Sequence, residues 1–267
     1  MLSPDFLWKD NNMKLLFIGD VVGDRGCDFL EQKIYQIKKQ NDISLVVING
    51  ENSALGNGIT PYSYKRLISL GADVITTGNH CFRRKESIGL YDENEVLLRP
   101  ANFPEGVPGH GYTVIDLGFC QVAVINLMGT AYMEPLDNPF YCIDSLLENI
   151  ATKNIIVDFH AEATSEKKAM GFYLDGRVTA VLGTHTHVQT ADESILPKGT
   201  AYITDAGMTG AELSVLGVKS ELAIEKIKYH APVKFEESEN PCFINGVVVD
   251  FDEHNGKATK IFRIIER

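Results

Sequence analysis

The chain lacks any run of about 18 apolar residues, so no segment reads as a membrane-spanning helix. Its five cysteines (Cys27, Cys81, Cys120, Cys142 and Cys242) are scattered, odd in number and without a Cys-x-x-Cys pair. That pattern excludes a zinc knuckle and a disulfide frame and points to reduced thiols in a cytoplasm. Cationic residues are in deficit, with 25 Lys and Arg against 36 Asp and Glu and a formal net charge of −11. Such a balance excludes a surface that tracks nucleic-acid phosphates or an anionic membrane. Any phosphate must therefore be held locally, by metal, backbone amides or a few cations. Repeats at solenoid spacing and low-complexity tracts are also missing. The first twelve residues, ending Lys9-Asp10-Asn11-Asn12, lack the basic and then apolar order of a signal peptide. They read as an N-terminal extension (1–12), with residues 13–267 forming a single domain.

What is present is one grammar repeated: an apolar strand, a glycine or polar residue with ligand chemistry, then a helical segment. With 267 residues and 44% hydrophobic content, one large α/β domain can bury a full core. The strands are Lys14–Ile18, Ser44–Ile48, Ala72–Thr77, Asn154–Phe159 and Val178–Leu182. The first is followed by a helix to about residue 40, with Leu30, Ile34 and Ile37 on one face. Thr60-Pro61 is a helix N-cap and first-turn pair, and a further helix is expected from Thr164 to about Tyr173. Tyr112–Leu117 and Gln121–Leu127, joined at Gly118, predict a hairpin and a switch to antiparallel pairing. Later come a strand at Thr200–Thr204, a glycine-rich loop at Gly207–Gly210 and a helix near Ser220–Ile227. The chain ends in a hairpin, Asn245–Phe251 and Lys257–Ile265, turning at His254-Asn255-Gly256. Parallel strands with crossover helices, flanked by hairpins, imply an α/β layered fold with two sheets packed together and helices outside.

The chemistry gathers at strand exits. Val178–Thr184 runs into His185-Thr186-His187, and if the backbone stays extended there, the two imidazoles point the same way. Other exits carry Asp20, Glu51 with Asn52, Asn79 with His80, and His160. Singly, each has an ordinary explanation: Asp20 caps a helix, Glu51 is a solvated acid, Asn79 holds a turn, His160 is a satisfied core residue. Their recurrence at successive carboxyl ends, where α/β sheets bind ligands, is what carries weight. The donors are oxygen and imidazole without thiolate, which suits Mn, Fe or Zn. There are too many for one catalytic ion that keeps an open position, and two ions sharing a carboxylate use the set better. Such a pair activates water and neutralises charge on a phosphoryl group. His110, His230 and His254 read as surface residues in turn-like settings. For Gly207–Gly210, backbone amides aimed at a phosphate and a plain connection both stand.

In order, Gly19-Asp20, Gly50-Glu51-Asn52, Gly78-Asn79-His80, His160 and Gly183-Thr184-His185-Thr186-His187 resemble the metal-binding motifs of the calcineurin-like metallophosphoesterase superfamily. The longer segments 158–167 and 183–192 are similar to its bacterial YmdB-like phosphodiesterase branch. The resemblance implies a four-layer αββα sandwich, two mixed sheets flanked by helices, and a dinuclear site of iron or manganese, with zinc as a further candidate. It implies that Asp20, Asn52 and His187 hold one ion, that Asn79, His160 and His185 hold the other, and that Glu51 bridges them. His80 would protonate the leaving oxygen or stabilise the transition state. The implied substrate is a small phosphodiester, with 2′,3′-cyclic nucleotides such as 2′,3′-cAMP expected, and a homo-oligomer is left open.

Two features depart from the pattern. Most of the superfamily has Asp-x-His at the first motif, whereas Asp20-Val21-Val22 supplies no histidine and Asn52 takes its place, as the branch suggests. The branch also usually carries Trp-Asp after Asn-His, and Phe82-Arg83 stands here, removing an acid that could orient His80. Competing readings are a phosphomonoesterase of the same fold, a metal- and nucleotide-binding regulator with weak turnover, and an amidohydrolase-type barrel. The barrel normally bears His-x-His on its first strand.

Overall fold

In a computed structural model, the structure describes residues 12–267; positions 1–11 of the expected extension lie outside it. Seven strands make one sheet: β1 (Asn12–Ile18), β2 (Asp20–Val21), β3 (Leu45–Asn49), β4 (Val74–Thr76), β11 (Met208–Ala211), β12 (Cys242–Asp252) and β13 (Ala258–Glu266). Six make the other: β5 (Tyr112–Asp116), β6 (Gln121–Met128), β7 (Ile155–His160), β8 (Ala180–Thr184), β9 (Ser194–Ile195) and β10 (Ala201–Ile203). Asn12, counted with the extension, already pairs with Asp252 as the first residue of β1.

Both sheets are mixed. β1, β3 and β4 run parallel, with β12 antiparallel to β1 and closing the terminal hairpin with β13. In the second sheet β6, β7, β8 and β10 run parallel, while β5 and β9 are antiparallel edges. The helices are α1 (Gly23–Asn41), α2 (Pro61–Ser69), α3 (Ile88–Glu93), α4 (Pro139–Leu147), α5 (Thr164–Leu174) and α6 (Ser220–Tyr229).

Period-two alternation explains the layers, because successive strand residues face opposite sides of a sheet. Leu15 and Phe17 enter a core shared with Val122, Val124, Ile156 and Leu182 of the other sheet. Leu16 and Ile18 face the other way, onto Leu30, Ile34 and Ile37 of α1 and Leu67 of α2. Across the molecule, Val157 and Phe159 pack under Ile143 of α4 and Met170 and Leu174 of α5. The order is helix, sheet, sheet, helix: the expected metallophosphoesterase-like sandwich, and not a barrel. No helix among the described residues is long and apolar enough to cross a membrane.

Local capping rules hold at the start of α2. Thr60 caps α2 in a reciprocal box with Ser63, and Pro61 opens the helix. Two expectations change. The glycine-rich stretch expected as a loop is strand β11, parallel to β2 and antiparallel to β12, so its backbone serves a sheet ladder and not a phosphate. The second is α4, a helix the sequence pattern does not announce; Asn138 caps it and Pro139 starts it.

Candidate metal centre

Every strand exit singled out by sequence reaches one place. Asp20 opens β2; Glu51 and Asn52 follow β3; Asn79 and His80 follow β4; His160 closes β7; His185 and His187 follow β8. The first sheet contributes five of these residues and the second three, so the site bridges the carboxyl edges of both. Glycines permit the approach: a Cβ at Gly78 would lie 2.2 Å from the His160 ring, and one at Gly19 2.0 Å from the Gly207 carbonyl oxygen.

Two clusters meet at one carboxylate. In the first, Asn52 Nδ2 lies 3.3 Å from Asp20 Oδ1 and 3.2 Å from His187 Nε2, and His187 Nε2 is 3.6 Å from Asp20 Oδ1. In the second, His160 Nε2 lies 2.9 Å from Asn79 Oδ1 and 3.0 Å from His185 Nδ1. Glu51 Oε1 touches both, 3.1 Å from Asn52 Nδ2 and 3.3 Å from His160 Nε2. Ligand atoms of Glu51, His160 and His185 lie within 4.8 Å of one another. His110, His230 and His254 are exposed.

The two histidines after β8 do not share a face, as an extended backbone would make them do. His185 has φ +102° and His187 φ +63°, both left-handed and costly for residues with a Cβ. The turn sends His185 to the second cluster and His187 to the first. Asp20 Oδ2 accepts from the His185 amide at 3.1 Å, and the Leu216 carbonyl, itself at φ +55°, sits 3.4 Å from His187 Nδ1.

Electrostatics fit a cation site. Burial pushes the Glu51 carboxyl up, yet His160 and His80 outweigh it and hold it well below its ordinary value. Asp20 follows the same logic: burial raises it, and His187 and His160 carry it below its usual range. Burial alone would lower His160, but Glu51, Asp20 and Asp158 raise it to about 9. His185, with burial and the neighbouring His160 acting together, is lowered. Oxygen and imidazole donors around two buried carboxylates match first-row divalent ions. Asn52 turns its Nδ2 inward, so ligation through Oδ1 requires a half-turn of its amide.

His80 stands beside the clusters, with its side chain 30% exposed. Its Nδ1 lies 3.2 Å from Asn52 Oδ1 and 3.2 Å from Glu51 Oε1, and its amide donates to Glu51 Oε2 at 3.1 Å. These neighbours orient the ring where Phe82-Arg83 supplies no acid. Phe82 instead packs edge-on against Tyr91 and Phe103.

Sequence reasoning gave no role to the supporting shell. Buried Asp158 on β7 accepts from Thr184 at 2.7 Å, Thr76 at 2.5 Å and Asn49 at 3.0 Å, tying both sheets beneath the site. Thr184 in turn lies 2.9 Å from His160 Nδ1. Buried Lys167 reaches Asp205 at 2.7 Å and the Thr184 carbonyl at 2.7 Å, while Asp205 accepts from the Thr186 amide at 3.0 Å. The available signal was a charge inside an otherwise apolar strand or helix face, at Asp158 and Lys167. Beside His187, a cavity of about 330 Å³ is lined in part by Val188, Met208, Leu216 and Phe243.

Relatives match the chain over nearly their whole length. A Bacillus subtilis (strain 168) protein named 2′,3′-cyclic-nucleotide 2′-phosphodiesterase is 50% identical over 255 residues, covering 95% of this chain and 97% of that protein. A crystal structure of a hypothetical protein from Thermus thermophilus superposes with TM-score 0.90 at 39% identity, covering 96% of this chain and 100% of that one. The crystal structure of a novel phosphatase from Mycoplasma pneumoniae gives TM-score 0.90 at 35% identity, covering 96% and 94%. The family model described as YmdB-like protein matches residues 16–264, and the chain belongs to that family.

Proposed function

We infer that this chain is a metal-dependent phosphodiesterase of small phosphodiesters, with 2′,3′-cyclic nucleotides as its substrate class. One observation carries the reading: Glu51 Oε1 sits between an Asp20–Asn52–His187 cluster and an Asn79–His160–His185 cluster. We assign one ion to each cluster, with Glu51 common to both and iron or manganese as the native metal. When bound, the two cations lower the pKa of water and offset the charge of the phosphodiester.

The chain's own residues complete the chemistry. In a 2′,3′-cyclic substrate, water adds its oxygen to phosphorus, the bond from phosphorus to O2′ breaks, and O2′ takes a proton. His80 is assigned to supply that proton: its Nδ1 is held by Asn52 and Glu51, and its Nε2, the other end of a part-exposed ring, has among the described residues only a long 3.5 Å contact with the Asn57 amide nitrogen to exchange for substrate. The choice of the 2′ bond follows the activity for which the Bacillus subtilis relative is named. The cavity beside His187 sets apolar Val188, Leu216 and Phe243 among polar Gln189, Asn245 and Arg263, a mixed lining that suits a nucleoside. We further propose that residues 13–267 act as one domain, since the sheets share a core, and that the five free cysteines suit a reducing cytoplasm.

Hydrolysis of 2′,3′-cAMP by protein reconstituted with Mn²⁺ or Fe²⁺ tests the reading. Metal-dependent 3′-AMP is the expected product. A protein loaded with metal that cleaves neither 2′,3′-cAMP nor bis-p-nitrophenyl phosphate would overturn it.

A further inference from the structure

We propose that Glu162 is a positioning residue that fixes the His185 imidazole so that Nδ1, and not Nε2, is offered to the metal centre. The inference rests on the dinuclear reading above and adds a residue to it. β7 and β8 run parallel with His160 opposite Thr184, so the chain leaving β7 passes beside the chain leaving β8. Glu162 lies two residues beyond His160, and His185 lies one residue beyond Thr184. Across that gap Glu162 Oε2 approaches His185 Nε2 to 3.1 Å. The other ring nitrogen, Nδ1, faces His160 Nε2 at 3.0 Å, with the two rings edge to face and their centroids 4.8 Å apart.

A neutral imidazole has one N–H and one lone pair, and the hydrogen bond made by one nitrogen decides what the other can do. The Glu162 carboxylate has no proton to give, so its negative charge 3.1 Å from Nε2 favours the tautomer with the proton on Nε2 and leaves the Nδ1 lone pair directed at the cluster. The backbone end of the same residue is also held, because the His185 amide donates to Asp20 Oδ2 at 3.1 Å. Fixed at both ends, the ring is held in place despite a left-handed backbone with φ +102°. Half of the Glu162 side chain is exposed, and His185 is the partner its carboxylate meets. A role in packing the core is therefore not what this residue supplies. Carboxylates that support a ligating histidine typically change metal affinity by about 10- to 100-fold.

The test is a Mn²⁺ titration of the full chain, wild type against Glu162→Ala and Glu162→Gln, read by calorimetry with thermal melting of each protein as a folding control. Glu162→Ala is expected to weaken one of two binding events by about 10- to 100-fold and leave the other unchanged. Glu162→Gln keeps an accepting oxygen without the charge, and it is expected to recover part of that loss. In Zn²⁺-loaded protein, the ¹⁵N shifts of His185 should report Nδ1 ligation in wild type and a mixture in Glu162→Ala. Unchanged affinities together with an unchanged His185 spectrum in both variants would overturn the proposal. Wild-type protein that takes up a single ion would remove the dinuclear reading itself, and this inference with it.

Discussion

His185 and His187, two residues apart, point into different halves of one site: His185 Nδ1 lies 3.0 Å from His160 Nε2, and His187 Nε2 lies 3.6 Å from Asp20 Oδ1. A single loop in two left-handed steps thus serves both clusters. Replacing either histidine by alanine should remove one bound ion per chain and spare the other. The affinity lost at the affected position should exceed the roughly 10- to 100-fold typical of a supporting residue. Metal counting on the two purified variants checks this, and loss of both ions from each variant would contradict it.

Glu51 and His80 should separate metal binding from turnover. Glu51→Gln is expected to lose metal and activity together, because its carboxylate joins the clusters. By contrast, His80→Ala should retain metal while kcat falls by about 10²- to 10⁴-fold, the usual contribution of a positioned acid. Parallel metal analysis and steady-state kinetics distinguish the two, and equal metal loss in both would defeat this division of roles.

Metal uptake should be coupled to pH with a definite sign. The pKa of His160 is raised to about 9 by its carboxylate neighbours, so in chelator-stripped protein it carries a proton at about pH 7. Ligation requires the neutral ring, and binding must therefore release that proton. Mn²⁺ affinity should rise from about pH 6 to about pH 9, with protons appearing in weakly buffered solution on mixing. An affinity flat over that interval would contradict the assignment of His160 as a ligand.

Lys167 and Asp205, 2.7 Å apart and almost wholly buried, brace the loop that presents both histidines. Lys167→Met leaves a buried carboxylate without its cation, which typically costs about 3–5 kcal/mol. Urea unfolding should show that loss, accompanied by weaker metal binding because Asp205 also accepts from the Thr186 amide. A variant as stable as wild type would show that the pair contributes no net stability.

The strand exits were legible because buried parallel strands read as apolar runs and the ligand residues follow them directly. Thr60-Pro61 and the terminal hairpin were legible for local reasons of capping and turn chemistry. What the sequence did not reveal depends on distant partners or on unusual backbone. The turn at His185 and His187 needs two left-handed residues with a Cβ, and no composition signals that. β11 reads Met-Thr-Gly-Ala after Gly207, poor in strand formers, and becomes a strand because β12 and β2 offer it ladders on either side. Asp158 and Lys167 stand out as charges among apolar neighbours, but Asn49 and Asp205, which explain them, lie 109 and 38 residues away.

Elemental analysis of the full chain purified without added metal tests the central claim most directly. A stoichiometry near two first-row ions per chain is the predicted result. Protein that holds one ion or none, and takes up no second when Mn²⁺ or Fe²⁺ is supplied, would contradict the account.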